Sequence, residues 1–246
     1  MGCSSAAFAR PGILWRAALA GLLVCGLLVC CGSCAAQQPG TKVLFIGNSF
    51  TLFNGGLDAQ LAAMAPGCRT QLLASGGFTL QKHWDDPGEQ AQVRDGHFDY
   101  VVLQEQSQTP VYDRALFATY AADFASLAKT SGARCVLLMT WQRPDSVQWG
   151  VTTANLAAAY QSVGAAVGAA VAPAGLAFAN AQTLRPDIAL NVSDGHPTPE
   201  GSYLAACVIY GTIFARSPMG ISYVPPGVSP EDGQFLRQVA AQTLGY

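Results

Sequence analysis

Four short polar segments carry the residue types that acyl transfer requires. They are Gly47-Asn48-Ser49-Phe50-Thr51, Ser75-Gly76-Gly77-Phe78-Thr79, Gln104-Glu105-Gln106-Ser107-Gln108 and Ser193-Asp194-Gly195-His196-Pro197. Together they hold a hydroxyl, glycine amides, side-chain amides and an Asp/His pair. A serine hydroxyl is a weak nucleophile at neutral pH and needs an adjacent base, usually histidine. The charge that develops on an attacked carbonyl needs fixed N–H donors, and removing one typically costs about 2.7–4 kcal/mol. Glycine presents its backbone N–H with little steric hindrance, and a Gln amide adds a side-chain donor. Taken alone, a Ser in Gly-Asn-Ser is as well explained as a turn or helix cap. The ordered set of four segments is what points to chemistry.

These segments must be carried to one place by the elements between them. Lys42–Gly47 is a short apolar run, and Leu57–Met64 reads as a helix ended by Pro66-Gly67. Thr70–Ala74 reads as a strand. A polar helical stretch follows from Thr79 to Arg94, broken near Pro87-Gly88. Tyr100–Gln104 and Cys135–Trp141 have the pattern of buried strands. Arg114–Lys129 places Leu116, Tyr120, Phe124 and Leu127 at helical spacing. Thr152–Ala169 is Ala-rich and helical, Ala172–Asn180 is expected to contain a fifth strand, and Pro199–Ala215 reads as the last strong helix. Short apolar strands alternating with helices predict βαβ units and a parallel sheet buried on both faces. The fold class is therefore α/β, a three-layer sandwich around a five-stranded parallel sheet of flavodoxin-like type. In such sheets ligands bind beyond the carboxyl ends of the strands, and each of the first three polar segments directly follows a strand.

The chain resembles the SGNH (GDSL-like) hydrolase family. Gly47-Asn48-Ser49-Phe50-Thr51 resembles the block that carries the nucleophile, Gly77-Phe78-Thr79 the block whose glycine amide helps bind the oxyanion, and Asp194-Gly195-His196-Pro197 the block with acid and base. The resemblance spans roughly residues 42–215. It is similar to exported bacterial members that carry Gly-Asn-Ser-Phe-Thr and Leu-Gln-Glu-Gln-Ser. It implies the SGNH hydrolase fold and a serine esterase that hydrolyses acetyl esters, many exported members deacetylating carbohydrates. Ser49 is then the nucleophile, His196 the base and Asp194 the acid that orients it. The Ser49 and Gly77 amides form the oxyanion hole with a glutamine side chain. The third block normally offers Gly-x-Asn, but this sequence has no Asn there. Alignment from Asp99 puts Gln108 at that position, and a shorter strand puts Gln106 there; Gln106 or Gln104 is favoured because alternation places both on one face. The acid also stands two residues before the histidine, where the family has three. Two other readings are an O-acyltransferase acting on envelope glycans and a catalytically silent carbohydrate-binding surface protein.

Several other residues near the strand ends carry more than one reading. His83 follows the Gly77 loop and is either a substrate contact or a solvated helix position. His97 lies in a turn before the third strand, at the opposite end of the sheet. Trp141 either stacks on a sugar ring, with Arg143 binding a polar substrate group, or covers the end of the sheet. Thr198 can cap a helix starting at Pro199. Asp85-Asp86 and Glu231-Asp232 read as solvated charges. No spacing matches a zinc or calcium site, so neither metal nor organic cofactor is expected.

Composition narrows the class further. Half of the 246 residues are hydrophobic and 11% are charged, which excludes a disordered chain. The net charge is -2, and the 13 Lys and Arg residues are scattered, so no nucleic-acid partner is expected. Arg10 and Arg16 precede an uncharged run from Ala17 to Cys31, followed by small residues to Ala36. That run is shorter than the roughly 20 residues of a membrane span and has the order of an export signal. The domains are thus a signal peptide over 1–36 and a hydrolase domain over 37–246, with a periplasmic or secreted product. Either cleavage follows Ala36, or Cys34 becomes a lipid-modified N-terminus, which would be the chain's one membrane attachment. Five of eight cysteines lie in the leader, and Cys68, Cys135 and Cys207 remain. They are too few for a disulfide framework, although one bridge is possible.

Overall fold

The computed structural model describes residues 40–246. The export and lipid-attachment expectations fall on residues 1–36 and lie outside them. The described chain forms one parallel five-stranded sheet in the order β2-β1-β3-β4-β5. The strands are β1 (Lys42–Gly47), β2 (Arg69–Ala74), β3 (Tyr100–Leu103), β4 (Arg134–Leu138) and β5 (Ala170–Ala172). The chain passes from β1 outward to β2, then returns to pair β3 on the other side of β1. This reversal creates the switch point at which α/β sheets bind ligands. Among the described residues, no helix is long and apolar enough to cross a membrane.

Alternation along β1 shows why both faces need covering. Val43 and Phe45 enter one apolar cluster with Val102, Val136 and Leu138. Leu44 and Ile46 enter the other with Val101, Leu103 and Leu137. All four β1 side chains are fully buried, each burial stabilising by roughly 1.5–3 kcal/mol. The first face is covered by α2 (Leu57–Met64), α8 (Ala174–Leu184), α9 (Pro199–Phe214) and α10 (Pro230–Leu244). The second is covered by α3 (Leu80–Trp84), α4 (Pro87–Asp95), α6 (Arg114–Thr130) and α7 (Thr153–Val167). The short helices α1 (Ser49–Leu52) and α5 (Thr109–Tyr112) follow β1 and β3 directly or nearly so.

Three expectations need correction. The fifth strand is only Ala170–Ala172, and Ala174–Leu184 is helix. The small residues AVA-PAG leave no periodicity to mark that boundary. Pro199–Phe214 is not the last strong helix. α10 follows it, with Ser229 capping the N–H of Asp232 and Leu236, Val239 and Ala240 buried. Asp232 is not a solvated charge, because it pairs with Arg185 at 2.9 Å and accepts from Ser229 Oγ at 2.7 Å. Cys68, Cys135 and Cys207 are all free thiols.

Candidate active site

Ser49 begins α1 immediately beyond β1. As the first residue of a helix, its N–H has no intrahelical acceptor. The turn is held from several sides. The Asn48 side chain accepts from Phe50 N at 3.1 Å and donates to Phe78 O at 3.0 Å, tying the Ser49 turn to the Gly77 loop. Gln104 Oε1 accepts from Asn48 N and from Thr51 Oγ1, both at 2.9 Å. Gly47 allows this close approach. A Cβ there would lie 2.6 Å from Thr51 Oγ1 and 2.8 Å from Gln104 Oε1.

His196 reaches Ser49 across 147 residues of sequence. Its Nε2 lies 2.9 Å from Ser49 Oγ, and its Nδ1 lies 2.9 Å from Asp194 Oδ1. Asp194 also accepts from the His196 backbone N–H at 3.0 Å. That backbone bond, followed by the imidazole and the charge of Arg143, holds the exposed Asp194 carboxyl below the ordinary carboxylate range. A two-residue spacing therefore lets the Asp194 carboxylate reach the His196 imidazole. The segment turns back on itself, with Asn191 and Pro197 bridged and Val192 N donating to His196 O at 2.9 Å. Gly195 sits at φ 87°, and a Cβ there would fall 2.5 Å from Arg143 Cγ. Only glycine fits this left-handed and crowded position. Thr198 caps α9 by accepting from Gly201 N, with Pro199 at the first helical position as expected.

Aromatic packing fixes the imidazole. Phe53 stacks on it at 4.2 Å between centroids, and Phe50 meets it edge-on at 5.5 Å. Asn54 donates to Pro197 O at 2.9 Å and to Ser202 Oγ at 2.8 Å, so the segment after α1 and the His196 loop are joined directly. Phe53 and Asn54 carry no sequence signal for this role beyond their closeness to Ser49.

The candidate oxyanion donors divide. Gly77 is exposed in its turn, where Phe78 N rather than Gly77 N bonds to Ser75 O. Gln106 uses its side-chain carbonyl to accept from Gln108 N and Thr109 N, and none of the described residues is hydrogen-bonded to its Nε2. Gln104 is not available to an oxyanion. It is 1% exposed, and its Nε2 donates to Glu105 O at 2.5 Å while its Oε1 braces the Ser49 turn. β3 stops at Leu103, so the alternation expected to put Gln104 and Gln106 on one face does not extend that far.

His83 and Trp141, both expected as substrate contacts, are buried instead. His83 is 1% exposed; its Nε2 bonds to Gly47 O at 2.7 Å and its Nδ1 faces Glu89 Oε2 at 2.6 Å. Trp141 is also 1% exposed, stacked between Phe50 at 4.8 Å and Phe178 at 4.2 Å. Its Nε1 donates to Gly195 O at 3.1 Å, so it braces the histidine loop from below. Arg143 forms a two-bond pair with Asp145 at 2.8 and 3.0 Å. Sequence reasoning missed the buried Glu105, which accepts from Gln106 N at 2.6 Å and from Leu80 N at 3.3 Å. A carboxylate in a polar post-strand run gives no sign that it points inward.

No protein-family model matches this chain, and no curated protein matches it. Solved structures do. An SGNH hydrolase candidate from Slackia heliotrinireducens is 28% identical, with a TM-score of 0.62 over 71% of this chain and 99% of its own. A DUF4886 family protein from Bacteroides uniformis is 18% identical, with a TM-score of 0.69 over 84% of this chain and 95% of its own. A catalytic mutant of an acetylxylan esterase from Geobacillus stearothermophilus is 14% identical, with a TM-score of 0.53 over 71% of this chain and 95% of its own. With a parallel five-stranded sheet flanked by helices on both sides, this chain has the fold of the SGNH/GDSL-like hydrolase structures it resembles.

Proposed function

We propose that the chain is a serine esterase with Ser49 as nucleophile, His196 as general base and Asp194 as the acid that orients it. The observation that carries this reading is the 2.9 Å approach of His196 Nε2 to Ser49 Oγ, with Asp194 Oδ1 at 2.9 Å from the other ring nitrogen. In that geometry Nδ1–H donates to the carboxylate, which leaves the Nε2 lone pair to take the Ser49 proton. Ser49 Oγ then forms a bond to the ester carbonyl carbon. The oxyanion is met by the N–H groups of Ser49 and Gly77 and by Gln106 Nε2. Collapse of the intermediate expels the alcohol, which takes the proton from His196. Water, deprotonated by the same imidazole, releases the acid and restores Ser49.

The proposed substrate is an acetyl ester on a carbohydrate. The fold likeness to an acetylxylan esterase supports it. The segment order of residues 1–36 supports export, as a soluble or lipid-attached protein.

Ser49→Ala tests the assignment. It should abolish hydrolysis of p-nitrophenyl acetate and labelling by a fluorophosphonate probe, with an unchanged Tm. Turnover at the parent rate would overturn it. A panel of acetylated and longer-chain sugar esters tests the substrate, and equal rates on a non-carbohydrate acetate would remove the carbohydrate from the proposal. Mass measurement of the mature N-terminus tests the leader.

A further inference from the structure

A second acid–histidine pair lies behind the nucleophile, aimed at the backbone instead of the hydroxyl. His83 on α3 and Glu89 on α4 are joined at 2.6 Å, and His83 Nε2 lies 2.7 Å from Gly47 O. A backbone carbonyl can only accept, so Nε2 carries a proton and donates it. A second proton must lie between Nδ1 and Oε2, whichever atom holds it. Both ring nitrogens are thus committed, and the ring is 1% exposed.

The bonded carbonyl belongs to the peptide that leads into the nucleophile turn. The same peptide's N–H, on Asn48, is bound by Gln104 Oε1 at 2.9 Å. The Gly47–Asn48 peptide plane is therefore gripped at both ends, one residue before Ser49. Rotation of that plane would turn the Ser49 N–H and Oγ out of the direction in which Oγ meets His196 Nε2. We propose that His83 and Glu89 are positioning residues for Ser49: the pair fixes the Gly47–Asn48 peptide and, through it, the direction of the nucleophile and of the first oxyanion donor. This rests on Ser49 being the nucleophile.

Steady-state kinetics on p-nitrophenyl acetate with paired substitutions test it. Gln can present its amide nitrogen near the position of imidazole Nε2, whereas Asn cannot reach it. His83→Gln should keep kcat within about threefold. His83→Asn and His83→Phe should lower kcat by about 10- to 100-fold with KM within about twofold, because misplacement of a reacting group costs rate more than binding. Glu89→Gln, which can still hydrogen-bond Nδ1, should remain near the parent enzyme, and Glu89→Ala should lose about tenfold in kcat. If the His83 variants do not fold, the Glu89 pair decides. Thermal melts accompany each assay, since a merely structural role would lower Tm alike in the Gln and Asn variants and leave kcat intact well below Tm. Parent kcat in folded His83→Asn or Glu89→Ala would overturn the proposal, as would an effect confined to KM. Ser49→Ala run alongside separates the two failures. An inactive Ser49→Ala beside a fully active His83→Asn removes only the positioning role, whereas an active Ser49→Ala removes the nucleophile assignment itself.

Discussion

Replacing Glu105 by Gln should change the pH dependence of stability, and by a worked amount. The Glu105 side chain has no solvent exposure. Burial is the main reason its carboxyl is pushed up to about 7; the N–H groups of Gln106 and Leu80 oppose the shift, and the charge of Asp113 adds to it. The adjacent Tyr160 hydroxyl is driven above the ordinary phenol range by burial, so it stays neutral and adds no like charge. In the unfolded chain the carboxyl ionises near 4.5. Between those two values the folded state binds the extra proton, so stability falls as pH rises from about 4.5 to about 7 and stays lowered above it. A displacement of this size corresponds to about 3 kcal/mol. Gln keeps an oxygen for the Gln106 N–H but cannot ionise. Whatever packing cost the amide brings applies at every pH. The difference between variant and parent should therefore favour the variant by about 2–3 kcal/mol more at pH 8 than at pH 5. Urea unfolding at both values, followed by tryptophan fluorescence, measures it. Parallel stability profiles for the two proteins would refute the reasoning and mean that Glu105 is neutralised or solvated by other means.

Trp141→Phe removes the donor to Gly195 O while keeping an aromatic ring between Phe50 and Phe178. It should cost about 1–3 kcal/mol for the smaller ring and the carbonyl left without its partner, and should lower kcat through the His196 loop; a variant with unchanged melting and turnover would show that the indole bond positions nothing. Asp194→Asn can present an amide N–H to His196 Nδ1 and so favour the wrong tautomer. A kcat loss of about 100-fold or more is expected with little change in Tm, and a loss below about threefold would mean that another group orients the imidazole.

The sequence by itself determined the sheet, the order of the strands along the chain and the positions of the polar segments that follow them. The apolar runs Lys42–Gly47 and Tyr100–Leu103 are too short and too continuous for anything but strands buried on both faces. Ser49, His196 and Asp194 could be named as candidates because the ordered segments that carry them resemble the blocks of the SGNH hydrolases. Tertiary structure decided which way the other polar side chains point. His83, Trp141, Gln104 and Glu105 all lie near the strand ends in sequence, yet all four turn inward. Three of their partners, Gly47 O, Gly195 O and Leu80 N, are backbone atoms 25 to 54 residues away. Backbone carbonyls and N–H groups are the same for every residue type, so no pattern of side chains announces them. Packing across the two faces of the sheet brings them within reach, and it turns residues that resemble ligand contacts into the frame that holds Ser49 and His196.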